Sequence, residues 1–329
     1  MQKTKNTTQQ AAQRPPNYPN RPQTYASSFA RYLRTKGRAS GTIRLYQRTV
    51  EKYIRFLEDD LGFKGGIENA TREHAEVWID RMIEHGLSPL TIRLARQGIY
   101  VFYHWLVDDQ EELKVNPVAK VRTPKPDVKI VQALRPEQQK ALLKAAGDTG
   151  GTIALRNKAL VAVMLDSGLR SGEVCALNRD RDDADSPVPT DLNMDQATLF
   201  IRHSKTHRQR VIGLGDKVVL LLEKYLRKRQ DGHEALFVTT HKRRFDRDSL
   251  HSLIKRLGEH AGIDGLHPHV LRHTAATNAA NVFTPEDAMR RHFGWAPGSP
   301  MVSHYTATGA EERTRRIFRQ QSAVDKLLS

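Results

Sequence analysis

The sequence is poor in cysteine and in acidic residues, and it has no long apolar run. A single cysteine, Cys175, among 329 residues excludes an internal disulfide and fits a reducing cytosol. No stretch approaches the roughly 20 apolar residues that span a bilayer, and the polar residues 1–21 contain no signal peptide. We therefore expect a cytoplasmic protein rather than a membrane protein or a secreted, disulfide-bonded one.

Acidic residues are outnumbered by basic ones. The sequence has 37 Asp and Glu residues and 53 Lys and Arg residues, which gives a formal net charge of +16. A charge of this sign attracts polyanions, and counterion release from nucleic acid would supply much of the binding free energy. An anionic membrane surface is the alternative partner, but nothing else in the sequence favours a membrane.

The chain is longer than the roughly 250–300 residues at which a single core stops growing, so we expect two domains. Residues 1–23 are polar and contain four prolines, which predicts a disordered tail. Residues 24–115 form the first domain, residues 116–132 a basic, proline-bearing linker, and residues 133–329 the second domain. On composition, a linker that lies along a phosphate backbone and a solvated hinge are equally good alternatives.

Apolar residues recur at helical spacing through both domains. In the first domain they predict four short helices, with Ser40, Thr71 and Ser88 as N-caps. In the second they predict several helices, a hairpin formed by the β-like runs 198–202 and 210–214, and a short strand at 236–238. The expected fold class is mostly α with a small β-sheet.

The first run of residues that suggests chemistry is Asp166–Leu177. Gly168 permits a tight turn between two helices, and Arg170 follows at the start of the second helix, where an anion is favoured. Glu173, three residues on, can hold the Arg170 guanidinium in place. By itself, such a pair is more often structural than functional.

The second run is His267–Thr274. His269 and Arg272 are three residues apart, so on a helix they point to the same side. Arginine offers a fork of donors for a phosphate, and histidine can donate a bond or move a proton. Zinc binding by the three histidines is disfavoured, because Cys175 is distant and no second ligand cluster exists at zinc spacing. His267 and His273 are interpreted as structural.

The third run contains Gly294 and Trp295, and Tyr305 follows ten positions after the tryptophan. A lone tyrosine or tryptophan more often packs in a core than acts in chemistry. The signal lies in the order of the three runs along the chain.

This order resembles the tyrosine recombinases, which include phage integrases and the Xer-type chromosome-dimer resolvases. The family carries a Gly-Leu-Arg-x-x-Glu box, a hairpin lysine, a His-x-x-Arg box, a Gly-His or Gly-Trp pair and a tyrosine. The matching positions here are Gly168, Leu169, Arg170, Glu173, Lys205, His269, Arg272, Gly294, Trp295 and Tyr305. The likeness covers roughly residues 133–310, and the helical first domain resembles the family's SAM-like core-binding domain.

The resemblance implies that Arg170 and Arg272 clamp the scissile phosphate, while His269 and Trp295 add hydrogen bonds. Tyr305 would attack phosphorus and form a 3′-phosphotyrosyl link. The expected enzyme is thus a site-specific DNA recombinase.

Proton transfers are assigned in the same way. Lys205 is the candidate general acid for the leaving 5′-oxygen, and His269 is also a candidate for helping to deprotonate Tyr305. Glu173 would orient Arg170. The scheme needs no metal, no other cofactor and no ATP.

Three features depart from the family pattern. Trp295 stands where many members have histidine, and the gap from Trp295 to Tyr305 is about one residue longer than usual in the family. An acidic segment, residues 180–195, resembles a loop insertion before the hairpin.

Basic residues outside these runs are candidates for contacts with the DNA backbone, and solvated surface is the alternative for each. They are Arg44, Arg48, Arg93, Arg96, Arg202, Arg208, Arg243 and Arg244. The partners expected from the resemblance are double-stranded DNA sites, a homotetramer assembled on them and accessory DNA-bending proteins, in a nucleoid-associated location. The last residues, 313–329, would pack into a neighbouring subunit, with packing on their own domain as the alternative.

Two other functions are considered. A type IB topoisomerase uses similar chemistry, but the small helical first domain and the Xer-like boxes argue against it. A DNA-binding regulator that has lost catalysis is the non-enzymatic alternative. The intact set of Arg170, Lys205, His269, Arg272 and Tyr305 argues against that alternative.

Overall fold

The computed structural model describes residues 22–125, 132–179, 189–202, 209–282, 285–307 and 319. The chain divides into two compact units, Met1–Lys129 and Ile130–Ser329, and each is described by itself. Most of the tail predicted at residues 1–23 lies outside the described residues, although the first helix already begins at Pro22.

The described residues of the first unit, 22–125, contain four α-helices, as the apolar spacing predicts. They are α1 (Pro22–Thr35), α2 (Ser40–Arg55), α3 (Arg72–Glu84) and α4 (Pro89–Asp108). Thr71 and Ser88 precede α3 and α4 as N-caps, and the Ser88 hydroxyl accepts a bond from the Thr91 amide. Ser40 is the first helical residue rather than the cap, which is Ala39.

Two short helical turns lie between α2 and α3. A π-helical turn, Phe56–Asp60, continues α2, and a 3₁₀ turn, Ile67–Asn69, precedes α3. The Tyr103 hydroxyl donates to the Ile67 carbonyl and so ties the 3₁₀ turn to α4. α2 and α4 cross closely, since a Cβ at Gly98 would lie 2.8 Å from Cγ2 of Thr49.

The predicted linker is wrong over its first part. Val118 and Val121 are buried in the core of the first unit, and the Asn116 amide group donates to the Tyr100 carbonyl. These two valines bury apolar surface that a solvated hinge would expose. Residues 116–121 therefore belong to the first unit, and residues 126–131 lie outside the described part of the chain.

The described part of the second unit is mostly helical with one small antiparallel sheet, as predicted. Its helices are α5 (Pro136–Gly147), α6 (Gly151–Ser167), α7 (Ser171–Ala176), α8 (Asp216–Lys228), α9 (Arg247–His260), α10 (Pro268–Asn281), α11 (Glu286–Phe293) and α12 (Met301–Ala307). Across the described residues, no helix is long and apolar enough to cross a membrane.

The sheet contains the predicted hairpin and one more strand. β2 (Thr198–Ile201) pairs with β3 (Arg210–Gly213), with Ile201 opposite Arg210. β1 (Leu192–Asn193) pairs with the other edge of β2. The strand predicted at 236–238 is wrong, because Ala235 and Val238 make only isolated bridges, to Asn178 and Arg244.

The core of the second unit forms around α6, which lies against α5, α8 and α10. A smaller apolar cluster forms where α10, α11 and α12 meet, and we call it the α10–α12 cluster. Its members are Ala275, Ala276, Ala280, Met289, Phe293, Trp295, Val302 and Tyr305. This cluster contains Trp295 and Tyr305, the last two predicted site residues along the chain.

Candidate active site

The turn between α6 and α7 places Arg170 at the start of a helix. Gly168 ends α6 in the left-handed conformation with φ of 59°. A Cβ at Gly168 would lie 2.5 Å from Cε1 of Phe293, so both the conformation and the close approach require glycine. Arg170 then caps α7, as the sequence predicts.

Glu173 organises this turn through a buried carboxylate. One carboxylate oxygen accepts the backbone N–H of Arg170 at 2.9 Å, and the other accepts Nη1 of Arg170 at 3.0 Å. Arg210, on β3, adds a second pair of bonds, with Nη1 and Nη2 at 3.2 and 3.0 Å from the two oxygens. The predicted pairing of Glu173 with Arg170 is thus present and is shared with a second arginine.

The Glu173 carboxylate is held in its charged form. Burial alone raises the pKa of Glu173, but hydrogen bonds from Arg210 and from the Arg170 backbone, with the charges of both arginines, outweigh burial. The net result is a pKa below the ordinary value for glutamate. Glu173 therefore remains an anion at neutral pH and can fix both guanidinium groups.

The sequence does not single out Arg210 as a site residue, because it stands among several basic residues of the hairpin. Its side chain is 8% exposed, and its Nε donates to the His292 carbonyl at 2.8 Å. Arg210 thereby connects β3 to Glu173 and to the end of α11. Its sequence neighbours are basic, and nothing in the local pattern distinguishes it from a solvated residue.

Arg272, on α10, is fixed by two carbonyl groups. Nη1 donates to the carbonyl of Gly168, and Nη2 donates to the carbonyl of Phe293, both at 2.7 Å. These bonds use two of the five N–H donors of the planar guanidinium, so the other N–H groups are available to bind an anion. Arg272 is therefore positioned between the α6–α7 turn and the end of α11.

The positive groups lie close enough to perturb one another. Burial, followed by the charge of Arg170, lowers the pKa of Arg272 to about 10, which leaves it protonated at neutral pH. Burial, followed by the charges of Arg272, His267 and Arg170, also lowers the pKa of His269. The structure thus brings Arg170 and Arg272 together as a cationic cluster suited to an anionic ligand, with His269 beside them as a mostly neutral hydrogen-bond donor.

Tyr305, on α12, belongs to the same neighbourhood. Its ring stacks on Trp295, with centroids 5.4 Å apart and planes inclined by 7°. Burial raises the pKa of Tyr305, and the charge of Arg272 lowers it in part. The whole residue is 5% exposed.

His273 contacts the Tyr305 hydroxyl directly. Its Nδ1 lies 3.0 Å from the hydroxyl oxygen, and the two rings are 5.0 Å apart. The interpretation of His273 as a structural residue stays a prediction, and the structure adds this contact with Tyr305 to it. A signal was present in the sequence, because His269 and His273 are four residues apart and so lie on one side of a helix.

The Gly294–Trp295 pair follows α11 in a second left-handed turn. Gly294 has φ of 63°, and a Cβ there would lie 2.9 Å from Nη1 of Arg210. Trp295 is 7% exposed, and its ring stacks with the rings of both Phe293 and Tyr305. A hydrogen bond from Trp295 to a phosphate stays a prediction.

The predicted general acid, Lys205, lies outside the described residues, as does Arg208. The chain that carries both connects β2 to β3, whose pairing is described up to Ile201 and Arg210. The role of Lys205 stays a prediction.

The arginines expected to contact DNA fall into two groups. Arg44, Arg48, Arg93 and Arg243 are exposed and remain candidates. Arg96, Arg202 and Arg244 donate hydrogen bonds within their own unit, and their contacts with DNA stay a prediction.

The bonds of this second group are structural. Arg96 donates to the carbonyls of Val118 and Ala119, and Arg202 donates to Asp191 and Thr190. Arg244 donates to the carbonyls of Cys175 and Leu177 and to the side chains of Asn178 and Glu234. The sequence alone does not distinguish these arginines, because their acceptors are mostly backbone carbonyls contributed by other segments.

Within the described residues, no group of three or more His, Cys, Asp or Glu side chains is arranged to hold a metal ion. His251 and His267 stack with ring centroids 6.2 Å apart, without a third ligand group.

Comparisons with known proteins place this arrangement in a family. The phage integrase family matches residues 132–312, more than half of the chain, and the phage integrase N-terminal SAM-like domain matches residues 26–110. A tyrosine recombinase XerA from Thermococcus kodakarensis is 27% identical over 93% of this chain and 98% of its own. A tyrosine recombinase XerC from Neisseria meningitidis is 28% identical over 77% and 81%.

Solved structures show the same fold. The Tn1549 transposon integrase in complex with transposon right end DNA superimposes with a TM-score of 0.69 at 19% identity, covering 88% of this chain and 99% of that one. A lambda integrase tetramer bound to a Holliday junction gives a TM-score of 0.66 at 17% identity, covering 86% and 76%. The chain therefore belongs to the phage integrase family of tyrosine recombinases, enzymes that cleave and rejoin DNA strands.

Proposed function

We propose that the second unit recombines DNA at specific sites through a covalent 3′-phosphotyrosyl link to Tyr305, without metal or ATP. The observation that carries this proposal is the position of the Tyr305 hydroxyl, which lies 3.0 Å from Nδ1 of His273, the residue that follows Arg272 on α10. Arg272 donates to the carbonyl of Gly168 in the turn that precedes Arg170, and His269 lies three residues before Arg272 on α10. A nucleophile next to a preformed cationic cluster is what attack on a phosphodiester requires.

The cationic cluster acts on the charge of the phosphate. A phosphodiester resists attack because its oxygens are already negative, and attack increases the charge on them. Arg170 and Arg272 bind the two non-bridging oxygens, while His269 and Trp295 add hydrogen bonds. Both arginines are held in place before DNA binds, so little reorganisation is needed in the transition state.

The covalent step conserves the energy of the broken bond. The Tyr305 oxygen forms a bond to phosphorus as the bond from phosphorus to the 5′-oxygen breaks, and Lys205 gives that oxygen a proton. The 3′-phosphate stays on the tyrosine until a 5′-hydroxyl attacks in the reverse sense. Rejoining therefore consumes no ATP, and the arginines supply the positive charge that a metal would otherwise provide.

The partner is double-stranded DNA. The net charge of +16 favours it, and the exposed Arg44, Arg48, Arg93 and Arg243, with Arg208, contact its phosphates. Since a fold neighbour is a lambda integrase tetramer on a Holliday junction, we propose a homotetramer on two sites. Residues 313–329 pack between subunits, and accessory DNA-bending proteins assist in a nucleoid-associated location.

The test is to trap the covalent intermediate. The full-length protein is mixed with nicked genomic fragments that include DNA flanking its own gene, in buffer with EDTA and without ATP. The mixture is denatured, and the DNA that stays attached to protein is sequenced. Tyr305→Phe is the matched control, because it removes only the nucleophilic oxygen.

We expect wild-type adducts at a shared inverted-repeat site and none with Tyr305→Phe. Adducts that persist in the variant would remove Tyr305 from its role. Site-selective binding without adducts would favour a DNA-binding regulator, and relaxation of plasmids lacking the site would favour a topoisomerase.

A further inference from the structure

We propose that His273 is the proton acceptor for Tyr305. This inference rests on the proposed function and adds a catalytic residue to it. His273 directly follows Arg272 on α10, and its side chain is half-buried against the α10–α12 cluster. Its Nδ1 lies 3.0 Å from the Tyr305 hydroxyl oxygen.

Tyr305 needs such an acceptor. A tyrosine hydroxyl is protonated at neutral pH, and burial raises the pKa of Tyr305 further, although the charge of Arg272 offsets part of this. The hydroxyl must therefore lose its proton as it attacks. A general base has to lie within about 2.6–3.2 Å of the atom that carries the proton, and Nδ1 of His273 meets this condition.

The proton transfer is balanced in both directions. In cleavage, His273 carries its proton on Nε2 and accepts the phenolic proton at Nδ1 while the tyrosine oxygen bonds to phosphorus. The bond from phosphorus to the 5′-oxygen breaks, and that oxygen is protonated by the general acid. In rejoining, a 5′-hydroxyl attacks, the phosphotyrosyl bond breaks, and His273 returns the proton to the tyrosine oxygen.

His273 also limits where the tyrosine oxygen can lie. Trp295 stacks on one face of the Tyr305 ring, and His273 contacts the hydroxyl, so the ring and the oxygen are both held. His269 sits one helical turn earlier on the same side of α10. The two histidines therefore have different roles. His269 donates a hydrogen bond to the phosphate, and His273 accepts the proton of Tyr305.

The test measures the rate of adduct formation on the nicked duplex recovered with wild-type protein in the trapping experiment. His273→Asn places an amide near the position of Nδ1, where it can accept the hydroxyl bond but cannot take a proton. His273→Ala removes the group and leaves space for added imidazole. His260→Asn is the matched control, because His260 is exposed at the end of α9.

We expect both His273 variants to bind the duplex as wild type does but to form adducts roughly 10²–10⁴-fold more slowly. Imidazole should restore the rate of His273→Ala by at least about tenfold in proportion to its concentration, and it should not affect Tyr305→Phe. His260→Asn should match wild type.

Other results would overturn the assignment. A His273→Asn rate within about threefold of wild type would reduce His273 to a hydrogen-bond partner, since general base catalysis contributes far more. A faster rate in either variant would make the bond a restraint on Tyr305. If His273→Ala fails to fold, His273→Asn alone decides. Absence of adducts with wild type would instead refute the proposed function itself.

Discussion

Replacing Arg210 by methionine tests whether the buried network around Glu173 holds the active site together. Methionine keeps much of the length of the side chain but removes both bonds to the Glu173 carboxylate and the bond to the His292 carbonyl. The Glu173 side chain is 2% exposed, so water cannot replace the lost partner. The carboxylate keeps only its bonds to Arg170.

The expected cost follows from this burial. Breaking one partner from a buried ion pair destabilises a protein by about 3–5 kcal/mol. Because the Arg170 bonds remain, we expect the lower value, about 3 kcal/mol. For a unit of this size, that corresponds to a fall of about 6–12 °C in melting temperature.

The assay is calorimetric melting of the full chain, following the transition of the second unit. Arg243→Met is the matched control, since Arg243 is exposed in the same unit, and it should melt within about 2 °C of wild type. The double variant Arg210→Met with Glu173→Gln should lose less stability than the sum of the two single variants, because no unpaired charge is then buried. An Arg210→Met melting temperature equal to that of Arg243→Met would show that the bonds from Arg210 to Glu173 do not stabilise the second unit.

Three further predictions concern the same region. The pKa of Glu173 is lowered in the folded state, so its contribution to stability is complete above about pH 4.5 and is lost as the pH falls from there through the folded pKa. Melting temperatures measured across this window should fall less steeply for Glu173→Gln than for wild type, and parallel curves would contradict the assignment. In Arg272→Lys, the lysine cannot reach both the Gly168 and Phe293 carbonyls, and it offers no fork of donors to a phosphate. Adduct formation should therefore slow by about 10²–10³-fold with little change in DNA binding. An unchanged rate would count against phosphate binding by Arg272. Gly294→Ala forces a left-handed conformation on a residue whose Cβ would lie 2.9 Å from Arg210, and chemical denaturation should show a loss of about 1–3 kcal/mol, whereas no loss would mean that the turn relaxes.

Much of the fold was predictable because local signals mark its boundaries. Thr71 and Ser88 supply capping oxygens, and Gly168 supplies a left-handed turn. The hairpin of β2 and β3 was equally visible from its two β-like runs. These features depend on residues only a few positions apart in the sequence.

Features that depend on distant residues were missed or misjudged. β1 has two residues and exists only through its pairing with β2. The linker prediction failed because Val118 and Val121 find their core partners among earlier helices. No short-range pattern encodes these contacts.

The candidate site shows the same division. The motif residues Arg170, His269 and Arg272 were identified from spacing and family resemblance, and the structure brings them together. Arg210 is 37 residues from Glu173 and His273 is 32 residues from Tyr305. These contacts depend on packing between distant segments, which the sequence does not display.

The most direct test of the central claim is to identify the amino acid that carries the DNA. The wild-type adduct is digested with trypsin and nuclease, and the modified peptide is analysed by tandem mass spectrometry. Cleavage after Arg291 and Arg313 releases a peptide whose single tyrosine is Tyr305. We expect a nucleotide on that tyrosine, attached through its 3′-phosphate. A nucleotide on another residue, or on another peptide, would contradict it.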